Sequence, residues 1–164
     1  MEYAFQKPLS LSGYPLHRIA ADMADGEKVI FADRGDHMLL RTSKRLELQE
    51  VAAKSIRVGG IFGFELRACV GKKVKGCHRY FKVEDWRSRH EWLERQGVLG
   101  GFSLMAIHCV AGMTSIIDNE RNFKVDQTDF TGVLKIEDES LFFKAMENGV
   151  GNKARAFGFG MLII

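Results

Sequence analysis

Hydrophobic and polar positions alternate at the start of the chain and then change period. Tyr3, Phe5 and Lys7 alternate with Glu2, Ala4 and Gln6, which predicts a strand over residues 1–9 that Pro8 stops. Ser10 to Gly13 read as a turn, and Pro15 suits the first position of a helix, with Tyr14 as its cap. Leu16, Ile19, Ala20 and Met23 recur at helical spacing, and Gly26 ends the helix. Tyr14, His17 and Arg18 share another face of its first turn. Lys28 to Ala32 and His37 to Arg41 predict two strands joined by the turn Asp33-Arg34-Gly35-Asp36. Residues 43–57 are ambiguous, with a short helix over Leu46 to Ala53 as one reading. Gly59-Gly60 opens an alternating segment, Ile61 to Ala68. The order β-α-β-β-(α)-β is the ferredoxin-like one.

The pattern then repeats. Tyr80 to Val83 predicts a strand, and Glu84-Asp85 place acids at the start of a helix carrying Trp86, Arg89, His90, Trp92 and Leu93. Gly97 and Gly100-Gly101 close it. Phe102 to Val110 and Ser115 to Ile117 read as strands, Asp118-Asn119-Glu120 as a turn, and Phe123 to Ile136 as one long strand or two. Leu141, Phe142, Ala145 and Met146 predict a last helix that Gly149 ends. The expected architecture is α+β: two tandem ferredoxin-like (RRM-like) lobes, over residues 1–71 and 80–164, joined by a basic linker over 72–79.

Composition narrows the class. The 164 residues are 46% hydrophobic, enough for a real core. A net charge of +3 permits a polyanionic partner without demanding one. The three cysteines, Cys69, Cys77 and Cys109, stand at no metal-ligand spacing and read as free thiols of a reducing, cytoplasmic compartment. Met1-Glu2-Tyr3-Ala4 has no basic n-region, and no window reaches the length of a membrane span. His37, His78, His90 and His108 form no ligand spacing, so neither a metal nor a cofactor is expected. Trp86 and Trp92 read as core.

Two stretches carry candidate chemistry. Lys72-Lys73-Val74-Lys75-Gly76-Cys77-His78-Arg79 is the densest basic run. The stretch from Gly149 to Gly160 holds four glycines with Lys153 and Arg155, and feeds the apolar end Met161-Leu162-Ile163-Ile164. Glycine-rich backbone turns its N–H groups into anion-binding concavities. Taken alone, such a loop is most often just a tight connection.

Four blocks in order carry a resemblance: Tyr14-Pro15-Leu16-His17-Arg18; Phe62-Gly63-Phe64-Glu65-Leu66-Arg67-Ala68; Glu91-Trp92-Leu93-Glu94-Arg95 with Gly101-Phe102; and the Gly149 to Gly160 loop. Together they resemble the CasE branch of the CRISPR-associated repeat-RNA endoribonucleases, within the wider repeat-associated superfamily. The resemblance implies metal-independent cleavage of the CRISPR precursor transcript at each repeat stem-loop. It also implies retention of the product inside an effector complex with other CRISPR subunits, away from any membrane. Carried over by position, the resemblance implies Tyr14 and His17 as the catalytic pair and Arg18 as a phosphate or orienting contact. Lys153, Arg155 and the loop glycines Gly149, Gly151, Gly158 and Gly160 hold RNA. For a double-stranded hairpin, Arg67, Lys72, Lys73, Lys75 and Arg79 are the backbone-contacting residues expected from charge and shape. Two features depart from the family pattern: the segment between His17 and Phe62 is short, and the Asp118 to Lys124 hairpin carries only Arg121 and Lys124 as cations.

The chemistry is self-consistent. RNA supplies its own 2′-OH nucleophile, and imidazole is the favoured proton-transfer group near neutrality. Cleavage would leave a 5′-OH and a 2′,3′-cyclic phosphate. Two other readings compete: a catalytically inactive guide-RNA-binding module of the same fold, and a ferredoxin-like small-ligand or oligomerisation domain. Salt-sensitive RNA binding separates the last from the other two.

Overall fold

The computed structural model describes the chain except residues 9, 12, 119 and 120, with the side chains at 117, 118 and 121 also outside the description. The turn expected at Asp118-Asn119-Glu120 therefore lies outside the described residues.

The first sheet contains β1 (Glu2–Gln6), β2 (Val29–Asp33), β3 (His37–Thr42) and β4 (Gln49–Glu50), in the order β2-β3-β1-β4 with antiparallel neighbours. Helix α1 (Tyr14–Ala24) connects β1 to β2 and packs on one face. Its cap is Gly13 at φ 67°, not Tyr14, which is the first helical residue. The left-handed geometry suits glycine, and Pro15 follows within the first turn. The helix predicted over Leu46 to Ala53 does not form. This stretch is irregular chain that bends at Glu47 and Leu48 and runs into β4, and Leu46 and Leu48, two residues apart, both pack on the core of Tyr3, Leu16, Phe31 and Leu40. That spacing of two belongs to extended chain, not to a helix.

The second sheet contains β5 (Ile61–Ala68), β8 (Phe102–Asp118), β9 (Arg121–Ile136) and β10 (Leu162–Ile163), in the order β10-β5-β9-β8. Between β5 and β8 come a small hairpin, β6 (Gly71–Val74) and β7 (Cys77–Tyr80), and helix α2 (Trp86–Leu99). Helix α3 (Glu139–Asn148) joins β9 to β10. Both sheets thus place their strands in the same ferredoxin-like order, and the tandem architecture expected from the sequence is present.

The division between the sheets differs from the sequence reading. The Ile61 to Ala68 strand, expected to close the lobe over residues 1–71, is the first strand of the second sheet, paired with β9 along its full length. Nothing in a strand's own alternation names its partner, and this one sits after a complete β-α-β-β set. The basic run 72–79 is accordingly a hairpin inside the second unit instead of a linker between units. The strand predicted at Tyr80 to Val83 shrinks to the end of β7, because Phe81 turns into the core. The separate strands at Phe102 to Val110 and Ser115 to Ile117 are one strand, bulged between Leu104 and Ala106.

The sheets are held against each other. Phe31 faces the α1 core, while its neighbours Ile30 and Ala32 face the other way and meet Met161 and Ile163. Arg41 of β3 stitches the units: it donates to the carbonyls of Met146 at 2.7 Å and Leu162 at 2.9 Å and pairs with Glu2 at 2.5 Å. Its side chain is only 10% exposed. Truncating it strands two carbonyls and a carboxylate, so Arg41→Met is expected to lower unfolding stability by about 3 kcal/mol, read by urea denaturation.

Candidate nucleic-acid interface

The start of α1 places Tyr14 and His17 one turn apart, with ring centroids 5.7 Å from each other and both side chains half-buried. His17 stacks on Phe31 of β2 at 6.3 Å, which fixes the imidazole against the sheet. On its other side Tyr14 meets Phe157, 6.5 Å away, and Phe157 lies edge-on to Phe123 of β9. Phe157 comes from the glycine-rich stretch. Residues far apart in sequence are therefore brought to the end of one helix, where unpaired N–H groups favour an anion.

The loop is built to lie between the two units. A single 3-10 turn, Arg155–Phe157, is flanked by Ala154 at φ 57° and Gly158 at φ 84°. A Cβ on Gly158 would stand 3.0 Å from the Phe31 ring, so only glycine lets the loop press on β2. The loop ends are pinned by Val150 N–H donating to the Gly160 carbonyl and Gly160 N–H donating to the Arg67 carbonyl, both at 2.7 Å. Arg155 folds inward and donates to the carbonyls of Gly149 and Gly151. Its guanidinium holds the loop's shape, while Lys153 stays exposed.

The other face of the loop borders a groove of about 520 Å³. Its walls include Lys73 and His78 of the small hairpin, Trp92 and Gln96 of α2, and Gly151 and Lys153 of the loop. Lys72, Lys73, Lys75 and Arg79 are all exposed on that hairpin. Burial, and then Lys153, push the His78 imidazole below its usual range, so at pH 7 the hairpin's positive charge comes from its lysines and arginine. Burial likewise raises the Cys69 thiol, which makes it a poor nucleophile. Arg18 is exposed on α1, and Arg67 is committed to an ion pair with Asp129 at 2.7 Å. Among the described residues, no three His, Cys, Asp or Glu side chains converge as metal ligands, and no helix is long and apolar enough to cross a membrane.

The sequence-derived residues thus form two groups. Tyr14, with His17 beside it, meets the loop at Phe157, and Lys73 of the hairpin faces Gly151 and Lys153 across the groove. Phe157 was not singled out in the sequence. Its only local signal was an aromatic residue inside a run of glycines.

The family model described as "CRISPR associated protein" matches residues 27–164. The chain belongs to the CRISPR-associated protein family. The family match starts after Tyr14 and His17, whereas the structural likeness extends over them. A CRISPR endoribonuclease Cse3 bound to a 19-nucleotide RNA superposes with a TM-score of 0.80 at 20% identity, over 99% of this chain and 97% of that one. Thermus thermophilus Cse3, bound to an RNA representing a pre-cleavage complex, gives 0.81 at 19% identity, over 99% and 96%. The CRISPR-associated protein Cas6e of Escherichia coli K-12 gives 0.79 at 19% identity, over 99% and 97%. At these identities the likeness establishes the shared fold. Comparison with curated protein sequences gives no match.

Proposed function

We propose that this protein is a metal-independent endoribonuclease that cuts CRISPR precursor RNA at repeat stem-loops and keeps the mature guide RNA as a subunit of an effector complex. The observation that carries this reading is the meeting of Tyr14 and His17 with the glycine-rich loop, beside a groove walled by the basic hairpin. Structures of the same fold are endoribonucleases bound to RNA, and a chain of a CRISPR RNA-guided surveillance complex shares it at a TM-score of 0.73.

In the proposed reaction the 2′-oxygen attacks the adjacent phosphorus as its proton is removed, and the bond to the 5′-oxygen breaks as that oxygen gains a proton. The products are a 2′,3′-cyclic phosphate and a 5′-OH. His17 and Tyr14 flank the phosphate and serve the two proton transfers and the orientation of the 2′-OH. The α1 N-terminus and Arg18 offset the charge that builds on the phosphorane oxygens. Lys153 and the hairpin cations hold the duplex backbone.

The test is cleavage of a labelled repeat hairpin in EDTA. Products with 5′-OH and cyclic-phosphate ends, and no cleavage of a substrate with a 2′-deoxy nucleotide at the cut, are the expected result. Tight binding with no cleavage of any repeat hairpin would sink the enzymatic reading in favour of the inactive guide-holding module.

A further inference from the structure

The basic hairpin has little to hold it in place by itself. It is a separate two-stranded sheet whose residues, Gly71 apart, are exposed. Its tight turn is well made, with Lys75 at φ 48° and Gly76 at φ 82°, the geometry that joins two antiparallel strands most directly. Its charges, however, work against it. Lys72 lies directly opposite Arg79 in the register, a like-charge cross-strand pair. An isolated two-stranded hairpin is marginal in water even without such repulsion. The turn alone therefore secures neither its strand pairing nor its pose over the groove, and both must be imposed at its two stems.

Both stems run to one buried ion pair. Arg89 of α2 and Asp126 of β9 are each 0% exposed and approach to 2.7 Å. The approach is a charge contact, since Asp126 Oδ1 and Arg89 Nε find no aligned hydrogen-bond partner. On the entering stem, Val70 N–H donates to Asp126 Oδ2 at 3.0 Å. On the leaving stem, Arg89 Nη2 donates to the carbonyls of Phe81 at 3.3 Å and Lys82 at 3.2 Å. Thr128 completes the cluster, donating to Asp126 Oδ2 at 3.0 Å and accepting from Arg89 Nη1. A fork-shaped guanidinium can hold a carboxylate and two carbonyls at once, which a lysine ammonium does not reproduce. Buried pairs of this kind are poor stabilisers compared with apolar packing, so one kept here calls for another role. The groove supplies one, because Lys73 and His78 form its hairpin wall.

We propose that Arg89 and Asp126 are positioning residues: their buried pair clamps both stems of the β6–β7 hairpin and so fixes the pose in which its cations meet the RNA backbone. The RNA half of this statement rests on the function proposed above; the clamp itself is a property of the free protein. It is a device for affinity and register, distant in kind from the chemistry at Tyr14 and His17.

The test uses full-length protein and two replacements of the pair. Arg89→Lys keeps the charge and loses the fork. The double variant Arg89→Met with Asp126→Leu removes both charges together, so no uncompensated buried charge endangers folding. Hydrogen exchange of the free protein, read on peptides covering residues 71–80, is expected to speed up by about tenfold or more in the double variant, with α1 and β1–β3 unchanged. Affinity for a repeat hairpin is then measured in two backgrounds, one with the native hairpin and one with Lys72, Lys73, Lys75 and Arg79 changed to Ala. Losing the clamp is expected to cost about tenfold in the native background and less than about twofold in the neutralised one, because the pair acts through those cations. Unchanged exchange of the hairpin amides overturns the clamp. An equal loss in both backgrounds overturns the positioning role and marks a general structural one. Wild-type protein that binds no repeat hairpin overturns the RNA reading, and the exchange result still decides the clamp.

Discussion

His17→Ala protein is expected to bind repeat hairpin RNA about as well as wild type and to cleave it about 10²–10⁴ times more slowly, the usual worth of a positioned proton-transfer group. Packing does not account for a loss of that size. His17 is half-buried, with one stacking contact on Phe31 at 6.3 Å, and removing such a ring costs on the order of 1 kcal/mol of stability, which a folded domain tolerates. Tyr14→Phe keeps the ring against Phe157 and removes only the hydroxyl, so its effect on cleavage isolates the phenol's part in the chemistry. Single-turnover cleavage beside filter-binding affinity, in EDTA, reads both quantities. If His17→Ala cleaves at the wild-type rate, the proton-transfer group is elsewhere. If it loses binding in proportion to cleavage, His17 serves to hold RNA instead of transforming it.

Replacing Lys72, Lys73, Lys75 and Arg79 together by Ala is expected to reduce the salt dependence of RNA binding more than any other change in the chain. Each backbone contact contributes about 0.7–0.9 to the slope of log affinity against log salt, so four contacts contribute about 3–4. From 50 to 200 mM salt, wild type should therefore lose about a hundredfold more affinity than the variant. His78 is held neutral at pH 7 and adds no charge, so the wild-type slope should be the same at pH 7 and pH 8. Titrations at several salt concentrations give the slope directly. A slope that the four substitutions leave unchanged would remove the hairpin from the interface and shift the anion contacts to Lys153, the loop backbone, Arg18 and the α1 N-terminus.

These two experiments probe opposite sides of the glycine-rich loop. Phe157 faces the α1 pair, while Gly151 and Lys153 face the hairpin groove. Arg155 clarifies the division. Expected at the RNA, it donates to the carbonyls of Gly149 and Gly151 and also lines the hairpin groove.

Elements whose signals are local were legible in the chain alone. Period-two runs located β1 and β5, and the turn Asp33-Arg34-Gly35-Asp36 located β2 and β3 on either side of it. Helical spacing with Pro15 located α1, and apolar spacing with Gly149 located α3. The pairing of Tyr14 with His17 followed from their spacing of three on a helix. Two ferredoxin-like units were legible because each keeps its β-α-β-β order. What depends on partners came from the three-dimensional contacts. Whether Ile61 to Ala68 belongs to the first or second sheet is settled by the β9 and β10 strands it bonds, which lie 50 to 100 residues downstream. The basic run became an arm over a groove because its ends return to Asp126 and Arg89. Arg89 looked like one more polar residue on a helix, since a charge is buried only where an opposite charge from another element waits for it. Hydrogen bonds and ion pairs between distant segments leave no periodic trace in the chain, and they hold the loop and the hairpin stems where they are.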